Sequence, residues 1–66
     1  MYSDLFKSLD VGDYIYISNE KGEGISGTFE GEYDSNKNTF KFSNHSNGKM
    51  EVIRIEILQH AEKIKI

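Results

Sequence analysis

The alternation of residue types between Ile25 and Tyr33 constrains the fold more than any other feature of the sequence. Side chains of a β-strand point to opposite faces in turn, so one residue in two shares a face. One face of this segment holds only apolar residues and glycine, namely Ile25, Gly27, Phe29, Gly31 and Tyr33. The pattern predicts a half-buried strand. Two glycines on its inner face favour a sharp bend over a flat strand.

Four further segments also favour β-strands. The run 14–17 is β-branched and aromatic, with tyrosines on one face and isoleucines on the other. Residues 39–43 alternate, with Phe40 and Phe42 inward. Asn47-Gly48 predicts a type I′ hairpin turn into a strand at 50–57, in which the apolar positions change face near 52–53. Such a change predicts a bulge or a strand covered on both faces. A helical turn at 58–62 and an edge strand at 63–66 complete the chain, which begins with a short helix in residues 1–10.

The small size of the chain limits it to one domain, spanning residues 1–66. A core this small is marginal, and the sequence of 66 residues contains no cysteine for a disulfide. Self-association is therefore an attractive source of extra stability, and we expect a homo-oligomer. No apolar run reaches the roughly 20 residues of a membrane span, and the N-terminus lacks the pattern of an export signal. We expect a cytoplasmic protein that does not enter a membrane.

The charge is distributed unevenly along the chain. The net charge of −3 argues against a general polyanion binder, because such binding depends on lysine and arginine. However, eight of the 11 acidic residues lie in 1–34, whereas six of the eight basic residues lie in 35–66. This asymmetry is compatible with an ordinary solvated surface. It is also compatible with oppositely charged faces that meet between subunits or meet a partner.

The order of the predicted elements resembles the Sm-like fold of the Sm, LSm and Hfq proteins. Gly27-Thr28-Phe29 is similar to the Gly-x-hydrophobic sequence of the first Sm motif, and Asp34 and Asn38 are similar to its Asp and Asn. Phe40 and Phe42 match the hydrophobic residues that close this motif. The resemblance implies a mainly β fold, in which a short N-terminal helix precedes a bent five-stranded antiparallel small barrel of the Sm-like or Src-homology type.

The resemblance also implies a site for single-stranded RNA. The residues at the matching RNA-facing positions are Asp34, Asn36, Lys37, Asn38 and Arg54. The sequence departs from the family at two of the relevant positions. Asn36 stands where RNA-binding members usually place a stacking aromatic, and Ile55 replaces the glycine that follows the arginine of the second motif.

Three patterns resemble catalytic or ligand-binding motifs without the context that the chemistry needs. Gly22-x-Gly24-x-x-Gly27 precedes strand alternation, whereas a dinucleotide site needs a helix N-terminus there. The segment 34–38 begins like a calcium loop but lacks its later glycine and glutamate. Two histidines lie apart in a loop and a turn. We expect no metal site, no cofactor and no enzymatic activity.

Two functions remain open from the sequence. One is a homo-oligomer that binds single-stranded RNA. The other is an acidic protein-interaction module, such as a small regulator or inhibitor of a bacterial or phage system; a binder of a small anionic ligand is a further alternative. Residues that we assign to a partner interface are exposed tyrosines, paired acids and surplus isoleucines, namely Tyr14, Tyr16, Glu30, Glu32, Ile53, Ile55 and Ile57.

Overall fold

The computed structural model describes residues 2–65 and shows one five-stranded antiparallel sheet with one short helix. The elements in chain order are α1 (Ser3–Ser8), β1 (Tyr14–Ser18), β2 (Gly24–Asp34), β3 (Thr39–Asn44), β4 (Met50–Arg54), a 3₁₀ turn (Ile55–Ile57) and β5 (His60–Lys63). The strand order is β4-β3-β2-β1-β5, so the sheet is open, with β4 and β5 at its edges. The predicted mainly β class is confirmed. None of the helices in the described part has the length and apolarity that a membrane crossing requires.

The two faces of β1 are as different as the sequence predicts. Ile15 and Ile17 face the core and are 0% and 2% exposed, opposite Gly27 and Ile25 of β2. Tyr14 and Tyr16, which alternate with them, lie on the outer face of the sheet and are 43% and 36% exposed.

Strand β2 bends where its sequence places glycine. A side chain at Gly27 would collide with the Phe42 ring and the Ser43 backbone oxygen, so β3 can approach this closely only because Gly27 has none. Further along, the pairing of β2 with β3 shifts register on both sides of Gly31. Gly31 and Glu32 have φ of 86° and 53°, which is the left-handed region that turns the strand.

The core is built around four phenylalanines. Phe6 of α1 stacks on Phe40 of β3, with ring centroids 4.2 Å apart, and both are 1% exposed. Phe29 and Phe42 complete the cluster from β2 and β3. Because α1 has only six residues, it is too short to be stable alone and depends on this docking.

The hairpin between β3 and β4 differs from the predicted type I′ turn. The amide of Asn44 donates to the oxygen of Lys49, and that of Gly48 donates to Asn44, which closes a four-residue loop. Gly48 has a φ of 71°, whereas Asn47 is not among the residues with positive φ. The side-chain oxygen of Asn47 accepts instead from the Lys49 amide, at 2.8 Å. The sequence located this turn correctly but not its type.

The last third of the chain differs most from the prediction. Strand β4 pairs with β3 without a register shift, so there is no bulge near 52–53, and it ends at Arg54 rather than Ile57. The turn comes earlier than predicted because the Ile55 amide donates to Asn38 and the Leu58 amide donates to Ile55. Strand β5 therefore begins at His60, with Ala61 buried. Ile66, which was predicted to end this strand, lies outside the described residues.

The close packing at Gly27 leads to a stability prediction. Gly27→Ala should lower the free energy of unfolding by about 1–3 kcal/mol, the usual cost of overpacking a tight core. Ser26→Ala, one position away, is the control and should change it by less than about 0.5 kcal/mol. Urea unfolding followed by circular dichroism measures both. Equal midpoints for the two variants would contradict the close approach of β2 and β3.

Candidate nucleic-acid interface

The loop between β2 and β3 is held in shape by one carboxylate. Oδ1 of Asp34 accepts hydrogen bonds from the amides of Asn36 and Lys37, at 2.9 and 3.2 Å. This arrangement is a side-chain turn that aspartate forms readily. Asn38 follows with a φ of 54°, a conformation that asparagine tolerates better than most residues. The loop therefore presents Asn36 and Lys37 to solvent.

Arg54 lies beside this loop, although 16 positions separate it from Asn38 in the sequence. It is the cross-strand partner of Thr39, and the next amide, of Ile55, donates to the Asn38 oxygen at 2.8 Å. The guanidinium also contacts Glu56, with Nη1 and Oε1 3.7 Å apart, but both side chains are more than half exposed. An exposed pair of this kind binds weakly and leaves the arginine available to another anion. The structure thus brings all five sequence-predicted RNA residues into one region.

A shallow pocket of about 350 Å³ opens next to the loop. It is lined by residues of β2, the loop, β3 and β4, among them Glu32, Lys37, Lys41 and Val52. Nζ of Lys41 lies 2.9 Å from Oε2 of Glu32. Because Phe40 and Phe42 are predicted to face inward, the alternation of 39–43 identifies Lys41 only as an outward residue between them. Its place at the site follows from the bulge in β2, which the alternation does not reveal.

The outer face of β1 carries a second candidate surface. The rings of Tyr14 and His45 meet edge to face, with centroids 5.3 Å apart, and His45 Nε2 lies 2.7 Å from the Thr28 hydroxyl. Tyr16 and His60 lie 6.3 Å apart further along. We call Tyr14, Tyr16, His45 and His60 the tyrosine–histidine surface. The tyrosines were predicted for a partner interface; the histidines beside them were not, because loop and strand-end residues come together only in the fold.

The remaining predicted interface residues are scattered. Ile53 and Ile57 are half-buried, and Ile53 packs against the core of its own chain. Ile55 is 1% exposed and belongs to that core, so the structure offers no exposed side chain for the interface role that we predicted for it. Of the two predicted acids, Glu32 pairs with Lys41, whereas no ion pair of Glu30 is found within residues 2–65.

The exposed apolar surface of β4 lies instead at two residues on its outer face. Met50 is 53% exposed and Val52 is 69% exposed, and both belong to an edge strand. The pattern of the sequence did not distinguish them from buried positions, because it was compatible with either a bulge near 52–53 or a strand covered on both faces. Their exposure makes β4 the more apolar of the two sheet edges.

A wider cleft of about 560 Å³ lies between the start of β1 and the end of β5. Tyr14, Lys63 and Lys65 line it together with Asp13. Nζ of Lys63 is 3.6 Å from Asp13, which partly neutralises the cleft. The cleft offers the amines of Lys63 and Lys65 to the small-anion alternative.

Comparison of the chain with protein-family models, with curated proteins and with solved structures finds no match. Within residues 2–65 no three histidine, aspartate or glutamate side chains lie close enough to hold a metal ion. The geometry of the site is therefore the basis for a functional proposal.

The loop geometry predicts the effect of two substitutions of Asp34. Asp34→Ala removes the acceptor of two backbone amides and should cost about 1 kcal/mol of stability, the usual net value of such hydrogen bonds. Asp34→Asn keeps an oxygen in place and should cost less than half of that. Thermal unfolding measures the difference, and amide NMR shifts of Asn36 and Lys37 report the loop directly. Equal effects of Ala and Asn would contradict the role of the Asp34 oxygen.

Proposed function

We propose that the chain is a non-enzymatic binding module of the Sm-like small-barrel type. Copies of it assemble edge to edge, and the assembly binds single-stranded RNA through Asn36 and Lys37 of the β2–β3 loop together with Arg54. The observation that carries the proposal is the adjacency of this loop to Arg54, fixed by the hydrogen bond between Ile55 and Asn38. The loop residues that resemble the first Sm motif and the arginine that resembles the second thus lie in the same region of the fold.

Unused hydrogen-bonding groups at the sheet edges support the assembly. Hydrogen-bonded pairs alternate along an antiparallel ladder. The amides of Asn44 and Ile55 form hydrogen bonds between β3 and β4 at the two ends of this ladder. The alternation then directs the amides of Met50, Val52 and Arg54 away from β3, to the free edge of the sheet. Unpaired edge groups are templates for another strand.

Strand β5 offers the complementary edge. The amide of Ile64 donates to Tyr14, at 2.9 Å, so the same alternation leaves the amides of Ala61 and Lys63 facing outward. Pairing β4 of one copy with β5 of the next would satisfy both edges. It would also cover Met50 and Val52, and a head-to-tail contact of this kind closes into a ring or extends into a filament.

Charge near the loop supports contact with a nucleic acid despite the acidic total. Lys37 and Arg54 are both exposed. Phosphate contacts by such residues supply most of the affinity of proteins that bind without strong sequence preference. The loop lacks an aromatic side chain for base stacking, so the affinity depends on charge and falls steeply with salt.

A second candidate function is an acidic protein-interaction module, and the tyrosine–histidine surface favours it. Tyrosines that expose one face while packing by the other are enriched in protein interfaces. This function predicts that Lys37→Ala and Arg54→Ala are silent. Charge reversal at Glu30 and Glu32 would then abolish capture of a basic protein partner.

The assembly predicts a response to substitution at the exposed edge. Val52→Lys should weaken association by about tenfold, because burying a valine contributes about 1.5 kcal/mol or more. Val11→Lys is a matched control, since Val11 is also 69% exposed but lies outside the edge strands. Sedimentation velocity over a range of concentrations measures the difference. A parent protein that stays monomeric at high concentration would contradict the assembly.

The RNA site predicts a change in salt dependence. Each phosphate contact to a single strand contributes a slope of about −0.7 in log affinity against log salt. Lys37→Ala and Arg54→Ala should each flatten the slope by about one such contribution, as measured by fluorescence anisotropy with a short oligoribonucleotide. Lys21→Ala, in the distant β1–β2 turn, should leave the slope unchanged. Binding that persists in the double variant, or no binding at low salt, would remove the RNA proposal.

A further inference from the structure

The pocket beside the β2–β3 loop contains more basic groups than the loop alone provides. Lys37 and Lys41 both line it, with Val52 as its apolar part. Within residues 2–65, Lys37 forms no ion pair, whereas Lys41 forms one with Glu32. The pocket therefore has two amines and two carboxylates on its walls: Glu32 is paired with Lys41, whereas Oδ1 of Asp34 accepts hydrogen bonds from the loop amides.

Glu32 reaches Lys41 from an unusual backbone conformation. Its φ of 53° lies in the left-handed region, which glycine and asparagine adopt at little cost but glutamate adopts rarely. The strand reaches this conformation in the bulge that begins at Gly31. A glycine would satisfy the backbone better at this position, so the structural requirements of the bulge do not explain why the residue is glutamate.

The ion pair between Glu32 and Lys41 is accessible to competing ions. The two side chains are 69% and 41% exposed, although the contact is short at 2.9 Å. Exposed pairs contribute little to stability, because water and salt screen them. A phosphate group carries more oxygen acceptors than the carboxylate, and it can be shared between two amines.

We propose that Lys41 and Lys37 form a phosphate-binding site that the Glu32 carboxylate masks. The carboxylate occupies the position on Lys41 that a phosphate oxygen takes when the site is filled, so Glu32 lowers the affinity of the site for phosphate chains. This proposal rests on the proposed function for its natural ligand, which is a backbone phosphate of single-stranded RNA. Inorganic tripolyphosphate has the same chemistry and reports the site without any base.

The test compares two substitutions that remove the same charge. Glu32→Gln releases Lys41, whereas Glu62→Gln changes another exposed glutamate, which is 59% exposed and pairs with His60 on β5. Affinity for an oligouridylate of about ten nucleotides is measured by fluorescence anisotropy at several salt concentrations. Affinity for tripolyphosphate is measured by calorimetry on the same proteins. Melting curves verify that each variant is folded.

We expect Glu32→Gln to bind both probes about two- to fivefold more tightly than Glu62→Gln does, the range that an exposed ion pair spans. Its salt slope should steepen by about 0.7, which is one additional phosphate contact. Lys41→Ala should have little effect in the parent but should remove the whole gain in the Glu32→Gln background. This non-additivity identifies the masked pair, since a general charge effect would be additive.

The outcomes separate this inference from the proposed function. If tripolyphosphate shows the gain and its loss with Lys41→Ala while no protein binds the oligonucleotide, the phosphate site stands and the RNA function fails. If the oligonucleotide binds the parent but Glu32→Gln and Glu62→Gln are equal with both probes, the masking is overturned. The masking is also overturned if Glu32→Gln binds neither the oligonucleotide nor tripolyphosphate.

Discussion

The close approach of β3 to Gly27 is the contact on which the rest of the structure depends. The Phe42 ring and the Ser43 backbone occupy the space where any side chain at Gly27 would be. This contact lets β2 and β3 pack tightly on the inner face of the sheet. The phenylalanine cluster then fills the concave side, and Phe6 of α1 covers it by stacking on Phe40. A 66-residue chain without disulfides has few other ways to assemble a core.

The same bend determines what the surface can do. The bulge at Gly31 and Glu32 brings a carboxylate to Lys41, and the end of β2 leads into the loop that Asp34 holds. Strand β4 ends beside this loop, so Arg54 becomes its neighbour. Meanwhile the sheet stays open, and its two edges keep unpaired amides. Candidate binding groups and candidate assembly edges are thus products of one curved sheet.

The sequence predicts the elements whose pattern is local and fails where distant contacts decide. The alternation in 25–33 and at Phe40 and Phe42 gave the correct faces of β2 and β3, which the structure confirms. By contrast, β4 ends early because Ile55 bonds to Asn38, a contact that no periodicity encodes. The left-handed conformation of Glu32 could not be predicted from the sequence either, since sequence reasoning assigns positive φ to glycine or asparagine.

For the candidate site too, the sequence predicts some of the residues and misses those that distant contacts bring together. The resemblance grouped the β2–β3 loop with Arg54, and the fold brings them together. Lys41 and the histidines of the tyrosine–histidine surface were missed, because their neighbours come from other strands and loops. The isoleucine pattern suggested an interface, whereas Ile55 belongs to the core and Met50 and Val52 are the exposed residues.

Hydrogen exchange at the sheet edges tests the central claim, which is that β4 and β5 meet between copies. Amide exchange of Val52 and Lys63 is followed by NMR or mass spectrometry at low and high protein concentration. If β4 and β5 pair between copies, these outward-facing amides exchange rapidly in dilute protein and become protected as concentration rises, while the Phe42 amide is protected throughout. Edge amides that exchange equally fast at both concentrations would contradict it.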